Sequence, residues 1–224
     1  MYTAVGMSSL FADIDEQQLD TLLTCLKTVT RTYRKEEFIF IRGDRPSYVG
    51  IMLSGGANVL MEEPGGQRVI LSHVSAGQLF GEAFSCANLE TLPVSIVASE
   101  PSEIMLIDYC KLVTTCSRSC PFHHQLIMNM MRILATNNIQ LTEQIGHLSK
   151  RTIREKLLSL LSMQARQADG RTVEIPFNRQ ELADYLCVDR SALSRELSAM
   201  QAEGILRCGG KRCFELNATA FDKH

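Results

Sequence analysis

Two clusters of side chains in this sequence have the types and spacing to do chemistry. Arg190, Ser191, Ser194 and Arg195 are interleaved with Leu193 and Leu197. At helical spacing the leucines take one face and the arginines and serines the other. An arginine offers a planar fork of donors that matches the O6 and N7 edge of guanine, and a serine hydroxyl can donate or accept. The second cluster is Cys110, Cys116, Cys120, His123 and His124. Cys116 and Cys120 stand at i and i+4, which on a helix puts both thiols on one face. Thiolate and imidazole together suit zinc, copper(I) or an iron–sulfur centre. Cys86 is a further thiol that folding can bring near. A buried cysteine otherwise behaves as a small hydrophobe, and Cys187, Cys208 and Cys213 are read that way.

The arginine–serine cluster needs rigid support, and the flanking residues supply it. Asn178-Arg179-Gln180-Glu181 reads as a capping box, with Asn178 as cap and Glu181 reaching back to its amide. The helix it opens runs through Leu182, Ala183 and Tyr185 to Leu186. Cys187-Val188-Asp189 forms a three-residue turn, and Asp189 is the N-cap of a second helix whose stripe of Leu193, Leu197 and Met200 is buried. Such a pair presents the start of its second helix to the major groove of DNA. The runs Ile205–Arg207 and Arg212–Leu216 around Gly209-Gly210 read as a hairpin wing carrying Lys211 and Arg212. Upstream, Ile153, Leu157, Leu158, Leu160 and Leu161 mark a helix, and Val173–Pro176 a short strand.

The remainder divides into two textures. Ser9 to Val29 places Leu10, Phe11, Ile14, Leu19, Leu22, Leu23 and Leu26 at helical spacing. From Thr32 to Asp108 come β-rich runs at Glu37–Ile41, Val49–Leu53, Ala57–Met61, Val69–Val74, Val94–Ala98 and Glu103–Ile107. Gly43-Asp44-Arg45-Pro46, Gly55-Gly56, Pro64-Gly65-Gly66, Gly77 and Pro101 separate them, as in an antiparallel sandwich or barrel. Past Pro121 the pattern turns helical. Ile127, Met131, Leu134, Asn138, Leu141, Ile145 and Leu148 step alternately by four and three, a coiled-coil seam in which Asn138 can fix register. A second row, Leu126, Met130 and Ile133, lies beside its first half. One row can pack on the barrel and the other on a second copy of the chain; a single amphipathic helix packed within one chain is the alternative. The expected fold is α+β: an antiparallel, jelly-roll-like β-roll over 1–121, a dimerisation helix over 122–149 and a winged helix-turn-helix over 150–224.

Bulk properties agree with a cytoplasmic protein. No apolar run of the length needed to span a bilayer occurs, and the N-terminus has neither the basic nor the apolar region of a secretion signal. Its 8 cysteines are then expected as reduced thiols. The net charge of −2 hides an asymmetry: 10 Lys and Arg against 15 Asp and Glu in residues 1–149, but 13 against 10 in residues 150–224. A polyanion would be met by the C-terminal third. A barrel of this size can also house a metal-dependent enzyme, but that needs two histidines and a carboxylate. Only His73 lies in the strand region, so no enzyme is expected.

On these motifs the chain resembles the CRP/FNR family of bacterial transcription regulators. Gly43-Asp44, Leu53-Ser54-Gly55-Gly56 and Gly77-Gln78-Leu79-Phe80-Gly81-Glu82 are similar to the turns of that family's cyclic-nucleotide-binding-type β-roll. The segments from Phe177 to Leu186 and from Asp189 to Leu197 resemble its helix-turn-helix. The resemblance implies a homodimer on an inverted-repeat site in double-stranded DNA, with RNA polymerase as a further partner. It implies that Arg179 and Gln180 hold DNA phosphates while Arg190, Ser194 and Arg195 occupy the recognition positions with Ser191 among them; Lys211 of the wing-like hairpin is expected to meet phosphate as well. Ser191 departs from the glutamate of the best-known members, which changes the expected base preference.

The same resemblance places an effector pocket at Gly81, Glu82, Leu92, Pro93, Asn137 and Thr142. Where members that bind cyclic AMP carry an Arg-Ser pair, this chain has Leu92-Pro93, and Asn137 stands in place of a further arginine. A cyclic phosphate would lose its charged hydrogen bonds, about 1.5–3 kcal/mol each. The expected effector is therefore a small molecule other than cyclic AMP. Cys25 stands alone at the N-terminus, which excludes the iron–sulfur cluster of the oxygen-sensing branch. A redox or metal response through Cys116 and Cys120 is the alternative sensing mode, and the sequence names no cofactor.

Overall fold

One strand with two buried faces organises the N-terminal half. In the computed structural model, which describes residues 8–62, 68–113, 121–168, 170–210 and 212–217, strand β8 (Ser102–Asp108) buries both of its faces. Met105 and Ile107 pack with helices, whereas Ile104 and Leu106 pack between two sheets. Successive strand side chains point to opposite faces, so one strand can serve two interiors.

The chain divides into two compact units, residues 1–67 with 71–138, and residues 68–70 with 139–224. The first opens with a 3-10 turn (Ser9–Phe11) and helix α1 (Glu16–Leu26). Seven further strands follow β-rich or turn-rich sequence: β1 (Val29–Tyr33), β2 (Phe38–Phe40), β3 (Tyr48–Ser54), β4 (Gly56–Glu62), β5 (Arg68–Ser75), β6 (Leu79–Phe80) and β7 (Ser95–Ala98). They form two four-stranded sheets, ordered β1-β8-β3-β6 and β2-β7-β4-β5. The pairs are antiparallel, with Val29 opposite Leu106 and Val49 opposite Ile107. Short helices α2 (Glu82–Cys86) and α3 (Tyr109–Val113) follow β6 and β8. Two sheets facing across Met52, Phe80, Ile96 and Ile104 make the expected β-roll. The tip of the Phe80 ring sits against Gly50 of β3, where any Cβ would collide with it.

Two expectations for this half are corrected. The single helix read over Ser9–Val29 is broken after Phe11, where Asp13 takes a left-handed backbone and Asp15 starts α1 with a capping box to Gln18. Val29 begins β1, because pairing with β8 outweighs the local helical pattern.

Helix α4 (Pro121–Leu148) is one continuous element of 28 residues. Its Leu126, Met130 and Ile133 row is buried against Leu10, Leu22 and Leu112 of the first unit. Asn129, 1% exposed, donates from Nδ2 to the carbonyls of Leu10 (3.0 Å) and Ala12 (2.8 Å), fastening the N-terminal turn to the helix. The other row stays largely open: Met131 is 60%, Leu141 52% and Ile145 65% exposed, with Ile139 at 63% beside them.

The second unit contains α5 (Ile153–Gln167), β9 (Thr172–Glu174), α6 (Arg179–Leu186), α7 (Arg190–Ala202), β10 (Leu206–Cys208) and β11 (Cys213–Leu216). Its three strands pair in the order β10-β11-β9. Leu157, Leu161, Leu182, Leu193, Leu197, Met200 and Phe214 fill a single core. Among the described residues no helix is long and apolar enough to cross a membrane.

Candidate functional site

The polar face of α7 is built from the cap of α6 onward. Asn178 Oδ1 accepts from the amides of Gln180 (2.9 Å) and Glu181 (3.1 Å), and Glu181 Oε2 accepts from the Asn178 amide (2.6 Å). This is the reciprocal box read from the sequence. Helix α6 ends at Cys187, whose φ of 53° turns the chain sharply. Asp189 then precedes α7 with extended backbone, and its carbonyl accepts the first helical bond from Leu193 (2.9 Å). Its side chain makes no capping bond, contrary to the expectation of a side-chain cap.

With Leu193, Leu197 and Met200 buried beneath, Arg190, Ser191, Ser194 and Arg195 all stand exposed at the start of α7. Gln180 is exposed on the first turn of α6 and donates from Nε2 to Asp184 (2.8 Å). Lys211 lies outside the described residues.

Arg179 is less free than its position implies. Its guanidinium carbon sits 4.6 Å from the centre of the Phe214 ring. Nη2 donates to Cys208 Sγ (3.2 Å) and, at 3.5 Å, to the carbonyl of Gly210. Nη1 is buried and has no hydrogen-bond partner among the described residues. The first turn of α6 is thereby joined to the wing hairpin, with one donor left over.

A further contact was not legible in the sequence. Arg154 on α5 donates from Nε to Glu196 (2.5 Å), and its two terminal nitrogens engage both oxygens of Glu203 at 2.8 Å. These bonds hold the Glu203 carboxyl below the usual carboxylate range. Glu196 is the immediate neighbour of Arg195, so its charge is directed toward α5. Lys156 adds a bond from Nζ to the Leu186 carbonyl (3.0 Å) at the end of α6.

In the β-roll, Gly81 caps α2 with φ of 80°, a backbone that glycine adopts without strain. Glu82 follows, 5% exposed, and accepts from Asn137 Nδ2 at 2.8 Å. Burial pushes its carboxyl up from the ordinary glutamate value, and hydrogen bonds from backbone and Asn137 oppose that shift. Gly81, Glu82 and Asn137 are thus brought together. Leu92 is buried and exchanges backbone bonds with Gly43 (2.9 Å) and Asp44 (2.8 Å). It also lines a cleft of about 200 Å³ that includes Arg31, Asp44, Arg45 and Tyr48. Pro93 faces solvent, and Thr142 is exposed on the part of α4 assigned to the second unit.

Cys116, Cys120 and the His123 side chain lie outside the described residues. Cys110 and His124 are exposed, and Cys86 is half-buried beside Tyr109, with burial pushing both of those groups up. Among the described residues no group of three or more metal-capable side chains occurs.

Comparison with known proteins adds to this geometry. Residues 30–119 match the family model "Cyclic nucleotide-binding domain", and residues 155–220 match "Crp-like helix-turn-helix domain". The chain is 27% identical over 205 residues to the Cyclic AMP receptor protein of Thermus thermophilus, covering 90% of this chain and 89% of that protein. It is 24% identical over 197 residues to the transcriptional activator protein FnrL of Cereibacter sphaeroides, covering 81% and 74% respectively. Its fold is shared with the c-di-GMP-responsive global regulator CLP of Xanthomonas campestris (TM-score 0.75, 20% identity, 91% of this chain and 100% of that one). A CooA variant from Carboxydothermus hydrogenoformans is similar at a TM-score of 0.77, with 19% identity over 96% of this chain and 94% of that one.

Proposed function

We propose, from the premise that this chain belongs to the CRP/FNR family of transcription regulators, that it binds an inverted-repeat DNA site as a homodimer under the control of a small effector other than cyclic AMP. The family is one of regulators rather than enzymes, and its helix-turn-helix makes DNA the partner. The observation that carries the finer reading is the row of Arg190, Ser191, Ser194 and Arg195, exposed together on a helix start whose reverse face is fully packed. Arg190 and Arg195 read base edges, Ser191 and Ser194 assist, and Arg179, Gln180 and Lys211 hold phosphates.

Dimerisation is supported by the open row on α4. Burying Met131, Leu141 and Ile145 against a second copy would remove exposed apolar area at a seam of coiled-coil spacing. The choice of effector is supported by Glu82, whose carboxylate already engages Asn137, with Leu92-Pro93 supplying no cation for a phosphate. RNA polymerase is the further partner and the cytoplasm the compartment that this reading implies. Selection from a random DNA pool, with and without cell extract as a source of effector, tests it. The expected result is a palindrome whose half-site centres lie about 34–36 Å apart; a pool that yields no palindrome under either condition overturns the reading.

A further inference from the structure

The second unit holds a recess that the DNA-facing surface does not use. Glu155, Ser159, Ser162 and Arg166 recur at intervals of four, three and four along α5, so they share one face, and Lys150 from the preceding segment completes the lining. A helix whose opposite face packs Leu157 and Leu161 would ordinarily turn a solvated stripe outward. Here the stripe has depth. Ser162 is 0% exposed, and its Oγ has no hydrogen-bond partner among the described residues. Lys150 and Arg166 stand exposed at the rim, and neither is in an ion pair among the described residues. The Glu155 carboxylate is already committed to the amide of Thr152 (3.0 Å) in the helix cap.

We propose that this recess binds a small tetrahedral oxyanion of the phosphate class, with Lys150 and Arg166 meeting its charge and the Ser162 hydroxyl donating from the floor. Size selects the class. At about 150 Å³ the recess is smaller than the roughly 300–1,000 Å³ that encloses a drug-sized ligand. It is too small to enclose a nucleotide and large enough to admit a central atom with four oxygens. A phosphate tied into a DNA backbone rides on the surface, whereas a free ion can enter the recess and draw the Ser162 hydroxyl toward it. An anion held there would tie the segment after α4 to the C-terminal half of α5.

His147 gives the site a second signature. Its Nδ1 lies 2.6 Å from Ser159 Oγ and its Nε2 3.2 Å from Met163 Sδ. With the proton on Nε2, the Ser159 hydroxyl donates to Nδ1; a protonated ring donates instead, which frees that hydroxyl to point into the recess. Burial and the cations Lys150 and Arg166 hold the ring's affinity for a proton down, while Glu143 raises it and Glu155 adds a further negative charge on the recess wall. A bound anion would favour protonation, so by linkage protonation favours the anion.

Calorimetric titration of the full-length protein with inorganic phosphate and with sulfate, at constant ionic strength, tests the proposal. One saturable site per chain is expected, weakened about tenfold or more by Lys150→Gln or Arg166→Gln and several-fold by Ser162→Ala. Sulfate, whose own charge is constant across this range, is expected to bind more tightly at about pH 5.5 than at about pH 7.5. Both charge variants alter exposed side chains, and unchanged melting without anion confirms that they fold. Absence of saturable binding, or binding that both charge variants retain, overturns the proposal. So does loss of DNA affinity in Lys150→Gln without any anion binding, which would make the recess part of the DNA interface. A change of sedimentation in Arg166→Gln in place of a change in anion affinity would assign the recess to a second copy and equally overturn it. Glycerol phosphate binding as tightly as inorganic phosphate would identify a phosphoryl group as the ligand; preference for inorganic phosphate would identify the free ion. None of these readouts depends on which DNA sequence is bound.

Discussion

The guanidinium of Arg179 lies 4.6 Å from the centre of the Phe214 ring, so the first residue of α6 is seated on the middle strand of the wing sheet. The ring attracts the cation through its negative face, about 0.5–1 kcal/mol at a partly exposed site. An arginine placed this way keeps its charge and loses rotational freedom, which would prepare it for the phosphate contact proposed above.

Arg179→Ala is therefore expected to weaken binding to all DNA sequences alike and to lower the slope of log affinity against log salt by about 1. Phe214→Leu keeps an apolar core residue but removes the ring, and is expected to produce a smaller loss of the same kind. Titrations at several salt concentrations separate this from altered specificity; a shift in base preference with an unchanged slope contradicts the phosphate role.

Arg195 has the opposite signature. Because it stands exposed beside the buried stripe of α7, Arg195→Ala is expected to cost about 1–3 kcal/mol per half-site and to relax preference at one base position. Competition between the selected site and its single-base variants measures this. Equal affinity of variant and wild type for the selected site would remove Arg195 from base readout.

Arg154→Ala releases two carboxylates at once. The melting temperature is expected to fall at neutral pH, and the difference from wild type to shrink in acid. The Glu203 carboxyl is held below its ordinary range by Arg154, so its contribution is present above the unfolded carboxylate value and is lost as pH falls through the lowered folded one. Freed Glu196 would also lie beside Arg195, so DNA affinity should drop even though Arg154 itself lies on α5.

Glu82 runs the other way. Its carboxyl is raised by burial, so the folded state is favoured below the ordinary glutamate value and penalised as pH rises through the raised one. Glu82→Gln keeps an oxygen to accept from Asn137 and removes the charge. The variant is expected to melt higher than wild type near pH 7 and about equally near pH 4. A lower melting temperature near pH 7 would show that the ionised carboxylate is net stabilising.

The open row on α4 gives a test of assembly. Leu141→Asp with Ile145→Asp is expected to leave the chain folded, since both side chains are exposed in the single chain, and to shift sedimentation to a monomer. A wild-type protein that sediments as a monomer at micromolar concentration would contradict the seam directly.

Elements whose signal is local were legible in the sequence, and those decided by distant partners were not. The Asn178–Glu181 cap and the buried stripe of α7 depend on residues a few positions apart, and both are present as read. Strand β1 was hidden because Val29 and its neighbours continue a helical pattern, and only pairing with β8, more than seventy positions away, makes them a strand. The pair β6 and α2 is too short for any periodicity to register. Among site residues, Glu82 and Asn137 were legible through resemblance to a family, but their hydrogen bond was not. Arg154 gave no signal, because its carboxylate partners are more than forty residues downstream. A weak hint for Ser162 existed, a hydroxyl amid the leucines of α5, although nothing in the sequence said that it would be left unpaired.

Strand β8 carries a further consequence. Because Met105 and Ile107 serve one interior and Ile104 and Leu106 another, inserting or deleting a single residue here would exchange the two sets and misfill both cores together. A strand with one solvated face can survive a slip by exposing a few apolar groups, and natural variation can explore it. This strand has no such tolerance, so among related chains length changes should collect in the loops around it and be absent from Ser102–Asp108, whatever the effector each chain has come to sense.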